Sequence, residues 1–252
     1  MDTGGYSIWD IAVVSDTRLL VIVNKNKKVI LLNSKTGGTV AQVTLKGGPR
    51  RLCMFDNIRA VVTLGNKGLQ FININGDSLE LGRSFSVNRS VWGISRSEDR
   101  LIVSYNSPPG LEVLSNDDRV IQTFSNQTAG VDVFKWPYFI STSADGMVYV
   151  SDCNKSTITQ LDSNLHVIRT FSDPILHNPC GIISVSADQV LVCSNGSHRI
   201  VLLCLSTGDI TSLLGEQDGI KEPYALTYSP SQKKLYVVPN EDLERIQVFQ
   251  QQ

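Results

Sequence analysis

Few groups in this chain could hold a metal or attack a substrate, and their spacing suits neither task. His166, His177 and His198 supply the imidazoles, and Cys53, Cys153, Cys180, Cys193 and Cys204 the thiols. A zinc site needs three or four convergent nitrogen, sulfur or oxygen ligands. The sequence has no HxH, HExxH or CxxC, and its closest cysteines, Cys193 and Cys204, are eleven positions apart. The thiols read better as small apolar fillers. Asp145, Asp152 and Asp188 could suggest calcium, yet Asp145 and Asp188 stand before strands at equivalent points of neighbouring repeats, where Asp bonds the backbone of its own turn. No GxSxG, P-loop or GxGxxG is present, so acyl transfer and nucleotide chemistry have no signature. No cofactor and no metal are expected.

Basic and aromatic residues offer a different chemistry. Lys25, Lys27, Lys28, Arg50, Arg51, Lys67 and Arg89 fall in turn-like segments, and Trp92, Tyr105, Trp136, Tyr138 and Tyr224 lie near the same ends of the strands assigned below. Cations interleaved with rings can neutralise phosphates and stack bases of single-stranded RNA. Solvated Lys and Arg turns, with Trp92, Trp136 and Tyr138 as core-rim residues, account for the same pattern without a ligand. The halves of the chain differ in charge: residues 1–126 hold 15 Lys plus Arg against 11 Asp plus Glu, and residues 127–252 hold 8 against 13. One sector should therefore be basic although the net charge is −1.

Composition narrows the class. With 41% hydrophobic and 19% charged residues, the 252-residue chain is neither a disordered tail nor a strongly basic nucleic-acid module. No apolar run approaches the 18 or so residues that cross a bilayer, so no membrane partner is expected. MDTGGYSIWDIAVV lacks the basic segment and apolar block of a signal peptide. Five cysteines, an odd number, suit reduced thiols, and a cytoplasmic location is expected. The four sequons at Asn88, Asn126, Asn154 and Asn195 are close to the chance number for 16 Asn and 42 Ser plus Thr.

The elements that must position these residues come from a repeat. Six copies begin with apolar segments containing Ile11, Leu52, Ile94, Phe139, Ile182 and Leu226. A second segment ends in Val21, Val61, Val103, Val150, Val192 or Val238, and eight positions on stands an aliphatic residue every time: Val29, Leu69, Leu111, Ile158, Ile200 and Ile246. Asn, Gly, Asp, Lys and Ser fill the gaps, which is hairpin chemistry. Segments of four to seven residues rich in Val, Ile, Leu, Tyr and Thr read as strands. Three strands a, b and c plus a polar outer strand d, repeated about every 42 residues, make a propeller blade. The expectation is one all-β domain over residues 1–252, a six-bladed β-propeller of four-stranded antiparallel blades at roughly 7–46, 47–88, 89–131, 132–174, 175–217 and 218–252. Only 23 strands are visible where 24 are needed, so the last blade should be incompletely closed. The missing strand is expected from residues upstream of Met1 in a longer protein, or from weak pairing of Asp2–Tyr6.

The aligned copies resemble the NHL repeat, whose pattern runs P-x-G-I, then D-G-x-hydrophobic-Y-V-x-D, then N-x-x-I. The resemblance is carried best by WPYFISTSADGMVYVSDCNKSTITQL, NPCGIISVSADQVLVCSNGSHRIVLL and EPYALTYSPSQKKLYVVPNEDLERIQVF, within residues 136–249. GGPRRLCMFDNIRAVVTLGNKGLQFI keeps only the hydrophobic frame, and SVWGISRSEDRLIVSYNSPPGLEVL keeps Gly93, Leu101 and Val103. The chain is similar to the C-terminal propeller of tripartite-motif (TRIM-NHL) ubiquitin ligases. That resemblance implies a non-catalytic protein-interaction propeller recruiting a protein partner or ubiquitination substrate, with RING, B-box and an oligomerising coiled coil upstream. The alternative it implies is a propeller that binds single-stranded RNA in post-transcriptional regulation. Propellers of related shape that hold a metal in the channel leave a second alternative, a metal-dependent hydrolase or lyase. On the protein-docking and RNA readings function belongs on the rim bearing the b-to-c turns.

Overall fold

The structure, a computed structural model, describes residues 7–240 and 245–250. Its strands follow the chain in consecutive antiparallel meanders. The first sheet is β1 (Ile8–Ser15), β2 (Arg18–Val23), β3 (Lys28–Asn33) and β4 (Thr39–Thr44), and the second β5 (Leu52–Met54), β6 (Arg59–Thr63), β7 (Leu69–Asn75) and β8 (Ser78–Phe85). The third comprises β9 (Val91–Ser97), β10 (Arg100–Asn106), β11 (Pro109–Leu114) and β12 (Val120–Ser125), followed by the single-turn helix α1 (Asn126–Ala129). Next come β13 (Pro137–Thr142), β14 (Val148–Asp152), β15 (Thr157–Leu161) and β16 (Val167–Phe171), then β17 (Pro179–Ser184), β18 (Gln189–Ser194), β19 (Arg199–Cys204) and β20 (Ile210–Leu214). The sixth sheet has three described strands, β21 (Pro223–Ser229), β22 (Lys234–Pro239) and β23 (Gln247–Gln250). The fold is an all-β six-bladed propeller with four-stranded antiparallel blades and, among the described residues, three strands in the last blade. Asp2–Tyr6, the expected alternative partner of that blade, lies outside the described residues.

Two compact units divide the blades. One holds the first and second blades, through Val91, and the sixth from Ala225; the other, Trp92–Tyr224, holds the third to fifth. In the first, Leu20, Ile22, Val29 and Leu31 pack against Leu52, Ala60, Val62 and Ile72 of the next blade. In the second, Ile102, Leu111 and Val113 pack against Ile140, Val148, Val150 and Leu161. Strands b and c are covered on both faces, which is why they read as unbroken apolar runs such as RLLVIV. All twelve residues of the eight-position spacing are fully buried, each contributing about 1.5–3 kcal/mol on removal from water. Outer strands such as β4, with TVAQVT largely exposed, carry the polar residues.

The register refines the repeat. In the first, third, fourth and fifth blades the valine stands opposite the residue after the aliphatic partner: Ile30, Glu112, Thr159 and Val201. Residues opposite each other share a face, so Val150 and Ile158 are buried on opposite faces of their blade. In strand a, Ile11 and Ile182 pair with Val21 and Val192, but Val150 pairs with Ile140 and Val61 with Cys53. Phe139 and Leu52 are therefore one position away from the equivalent site. The first, fourth and fifth blades share a register shift near the start of strand a, so the residue three after Ile8, Pro137 or Pro179 faces the valine, which in the fourth blade is Ile140.

Candidate functional site

In an up-and-down blade the b-to-c turn, the start of strand a and the end of strand d share one rim, and hydrogen bonds hold these segments together within each unit. In the first, Asn24 Nδ2 donates to Pro49 O at 2.8 Å, Leu45 N to Lys27 O at 2.7 Å, and Val91 N to Gly65 O at 3.4 Å. The Arg50 guanidinium lies against Gly65, where a Cβ would come within 2.9 Å of Nε and where φ is +59°. Glycine is thus required twice over in the GNKG turn that presents Lys67.

In the second unit a carboxylate holds the rim. Asp152, fully buried at the end of β14, accepts Lys135 N at 2.6 Å and Trp136 N at 2.8 Å through Oδ2, and Asn154 N at 3.1 Å and Lys155 N at 3.0 Å through Oδ1. One side chain caps both the loop entering β13 and the β14–β15 turn. Ser194, at the same point of the next blade, accepts His177 N at 2.8 Å and donates to Ile175 O at 2.7 Å.

Lys25, Lys27 and Lys67 are exposed on the rim, and Lys28, Arg50 and Arg89 are half-buried. Lys28 turns to the outer strand, donating to Gln42 Oε1 at 3.0 Å. Arg51 is a correction to the expected docking set: it is 1% exposed, donates through Nη1 to Trp9 O at 3.2 Å, and lies in the field of Asp10. Asp10 accepts Ile11 N and Leu52 N, both at 3.0 Å. Burial pushes its carboxyl up to about 6, against the opposing pull of Arg51 and of these two N–H groups. Tyr105 is the second correction, buried on β10 with its hydroxyl donating to Glu112.

The remaining aromatics form a knot rather than separate faces. Trp92 packs on Trp136 at 5.8 Å and 60° and on Tyr138 at 5.4 Å and 44°. Tyr138 packs on Tyr224 at 6.2 Å and 68°, with their hydroxyls 2.8 Å apart. With its amide turned so that Oδ1 faces the two indoles, Asn106 accepts from Trp92 Nε1 at 3.3 Å and Trp136 Nε1 at 2.9 Å while donating to Pro137 O at 3.0 Å. Tyr224 is 9% exposed, whereas Trp92, Trp136 and Tyr138 are half-buried.

Sequence reasoning missed Asn106 and the exposed Lys46, which sits in the same loop as Arg50. With Lys46 included, segments 24–28, 45–51, 64–68 and 86–90 carry eight cations and no Asp or Glu. At the other end of this unit's blades, Asp56 and Asp77 are paired with Arg59 and Arg18 at 2.6 and 2.7 Å. The corresponding rim segments of the second unit, 107–108, 126–136, 153–156, 172–178, 195–198 and 215–222, hold Lys135, Lys155 and Lys221 against Asp132, Asp173, Glu216, Asp218 and Glu222.

The histidines occupy different turns. His166 Nδ1 bonds Asp162 at 2.9 Å, His177 packs against Gly196, and His198 Nδ1 accepts Glu222 N at 3.1 Å. Among the described residues no group of three or more His, Cys, Asp or Glu side chains could hold a metal ion. Cys180 and Cys193 are buried, and Cys53, Cys153 and Cys204 are half-buried. Asp145 accepts from Ser143 within its own turn. Asp188 instead reaches the next turn, accepting Ser206 N at 2.7 Å. No helix among the described residues is long and apolar enough to cross a membrane.

No protein-family model matches the chain, and no curated protein matches it. Solved structures do. Virginiamycin B lyase from Staphylococcus aureus superposes with a TM-score of 0.69 at 13% identity, covering 100% of this chain and 87% of the lyase. The β-propeller domain of Cps50 (Swd1) from Myceliophteria thermophila gives 0.69 at 14%, covering 97% and 84%. A functionally unknown protein from Desulfotomaculum acetoxidans gives 0.66 at 13%, covering 93% and 79%. At such identities the likeness is one of fold, and what it establishes is the β-propeller.

Proposed function

We propose that this propeller is a non-catalytic protein-interaction module. It docks an acidic segment of its partner on the rim carrying Lys25, Lys27, Lys46, Arg50, Lys67 and Arg89. The observation that carries the reading is the segregation of charge: the rim segments of the first two blades hold cations without a single acid, and Asp10 offsets only the buried Arg51. Such a sector creates a local field that a net charge of −1 conceals. The NHL resemblance extends the proposal to a cytoplasmic, partner-recruiting domain of a TRIM-NHL ubiquitin ligase, with the docked protein as substrate.

Single-stranded RNA is the second reading, and the rings weigh against it. A stacking platform needs open faces. Trp92, Trp136 and Tyr138 are half-buried, Trp92 packs on the other two, and both indole N–H groups point to Asn106. A channel lyase finds support in the fold of a structural neighbour, but His166, His177 and His198 stand in separate turns.

The test compares the wild-type chain with a Lys25→Glu, Lys27→Glu, Lys67→Glu variant, measuring association with a synthetic Glu/Asp-rich peptide and with a single-stranded RNA across a salt series. The expected result is peptide association slowed roughly tenfold or more at low salt with little change in dissociation. Peptide kinetics unchanged by the reversal would remove the basic rim from the docking face, and RNA binding with a steep salt slope would favour the second reading.

A further inference from the structure

Two Asn–Gly sequences occur in the chain, Asn75–Gly76 and Asn195–Gly196, and their surroundings differ in the respect that governs the chemistry open to such a pair. We propose that Asn75 is a site of spontaneous self-modification, converting to aspartate and isoaspartate while the chain stays folded, and that the fold holds Asn195 inert. Asn75 ends β7, pairs with Ser78, and is exposed. Gly76 and Asp77 form the two-residue loop, Gly76 taking φ +61° as the first residue of such a hairpin requires. A Cβ at Gly76 would meet nothing within 4 Å, so the space around the attacking nitrogen is open. Among the described residues the Gly76 N–H has no hydrogen-bond partner, and the Asn75 side-chain amide makes no bond of its own.

At the second site the hydrogen bonding is reversed, although Gly196 is also exposed. The Gly196 N–H donates to His177 O at 2.9 Å. Asn195 Oδ1 accepts from Asn178 Nδ2, and Asn195 Nδ2 donates to Pro223 O, both at 3.4 Å. The His177 imidazole stands 2.5 Å from where a Gly196 Cβ would be. The nucleophile is engaged, the amide is tethered at both ends, and an aromatic ring stands on one side of the glycine, which is itself exposed.

In the reaction the Gly76 nitrogen gives up its proton and bonds to Asn75 Cγ. The Cγ–Nδ2 bond breaks, and ammonia leaves with that proton. Water then opens the five-membered imide. Breaking the nitrogen bond to Cγ yields aspartate at position 75, and breaking the bond to the main-chain carbonyl carbon yields isoaspartate, with the backbone routed through Cβ and Cγ. The net change is one water consumed and one ammonia released, and no other reactant is needed. Either product places a second carboxylate beside Asp77, which Arg18 grips through Nε at 2.9 Å and Nη2 at 2.7 Å.

The experiment incubates the folded chain at mildly alkaline pH and follows both sites by peptide mass and by isoaspartyl methyltransferase labelling, with a chain held in denaturant as reference and Asn75→Gln as the blocked variant. In the folded chain Asn75 should convert about tenfold faster than Asn195, the cost of first opening the Gly196 hydrogen bond. In denaturant the two rates should converge, and Asn75→Gln should abolish the folded-state product. Equal rates at the two sites of the folded chain would overturn the proposal. So would an intact Asn75 in the folded chain alongside conversion in the denatured one.

Discussion

Replacing Asp152 by alanine tests whether the rim segments of the second unit are held rigidly, because this carboxylate is where two of them meet. The substitution removes both oxygens and strands four backbone donors, those of Lys135, Trp136, Asn154 and Lys155, now held at 2.6 to 3.1 Å. A buried donor left without a partner costs about 1–3 kcal/mol. The loops bearing these four are only partly buried, so water can satisfy some of them after a small shift. We expect a net loss of about 3–5 kcal/mol, the range of a broken buried network. For a chain of this size each kcal/mol moves the midpoint by about 2–4 °C, so the melt should fall by roughly 10 °C.

Differential scanning calorimetry reads the midpoint and circular dichroism confirms that the blades persist below it. Asp152→Asn adds a finer comparison. Its remaining oxygen can still accept from one pair of donors, while its NH2 group faces the other pair, donor against donor. Its loss should fall between wild type and alanine. A midpoint for Asp152→Ala within about 2 °C of wild type, less than 1 kcal/mol by the same scaling, would refute the reasoning. The loops would then be held by packing and not by this carboxylate.

Two further outcomes follow from buried groups. Asp10 is raised from 3.8 to about 6 in the folded chain, so between those values the folded state holds the proton that the unfolded state has released. Stability should therefore fall as pH rises from about 4 to 6, by about 3 kcal/mol at most; melts across that window should show the fall, Asp10→Asn should flatten it, and a wild-type profile rising with pH would mean that Arg51 holds the carboxyl charged. Val150→Asp puts an unpaired charge among Ile102, Val113, Val148 and Leu161, and should cost several kcal/mol; denaturant titration reads the loss, and an unchanged midpoint would show that Val150 does not face that cluster.

The repeat was legible because strands b and c are buried on both faces, so every anchor position is under the same demand. Val21, Val61, Val103, Val150, Val192 and Val238, with their partners eight residues on, needed no tertiary information. Strand a was legible as an element but not in register. Phe139 and Ile140 are both buried, at 6% and 7% exposure, so polarity gives no sign of which one faces Val150. The three-stranded last blade followed from counting segments. The site was harder, because charge in a turn does not reveal where a side chain points. Arg50 and Arg51 are adjacent and identical in type, yet one lies on the Gly65 backbone at the rim and the other is enclosed beside Asp10. The signal that separates them is Asp10 itself, 41 residues earlier and at the start of the preceding strand a, where a carboxylate among apolar neighbours requires a cation. Tyr105 was misplaced for a related reason: its ring sits at the end of an apolar strand and Glu112, on the facing strand, satisfies its hydroxyl.

The same burial restricts where recognition can occur. Strands a to c meet neighbouring residues on both faces and outer strands carry few cations, so variation without loss of stability is confined to the turns and loops. Of the two ends of the first two blades, one has aspartates engaged by Arg18 and Arg59, and the other has lysines with no acid in their segments. Each exposed lysine acting alone contributes little, since water and salt screen it within a Debye length of about 8–10 Å. Contributions from Lys25, Lys27, Lys46 and Lys67 add because hydrogen bonds between their loops keep the segments side by side. A field built this way steers encounter more than it prolongs contact. Affinity on this rim must therefore come from shape as well. That is why Asn24, which the proposal does not count among the docking residues, bears on function: its bond to Pro49 O maintains the geometry of two of these loops.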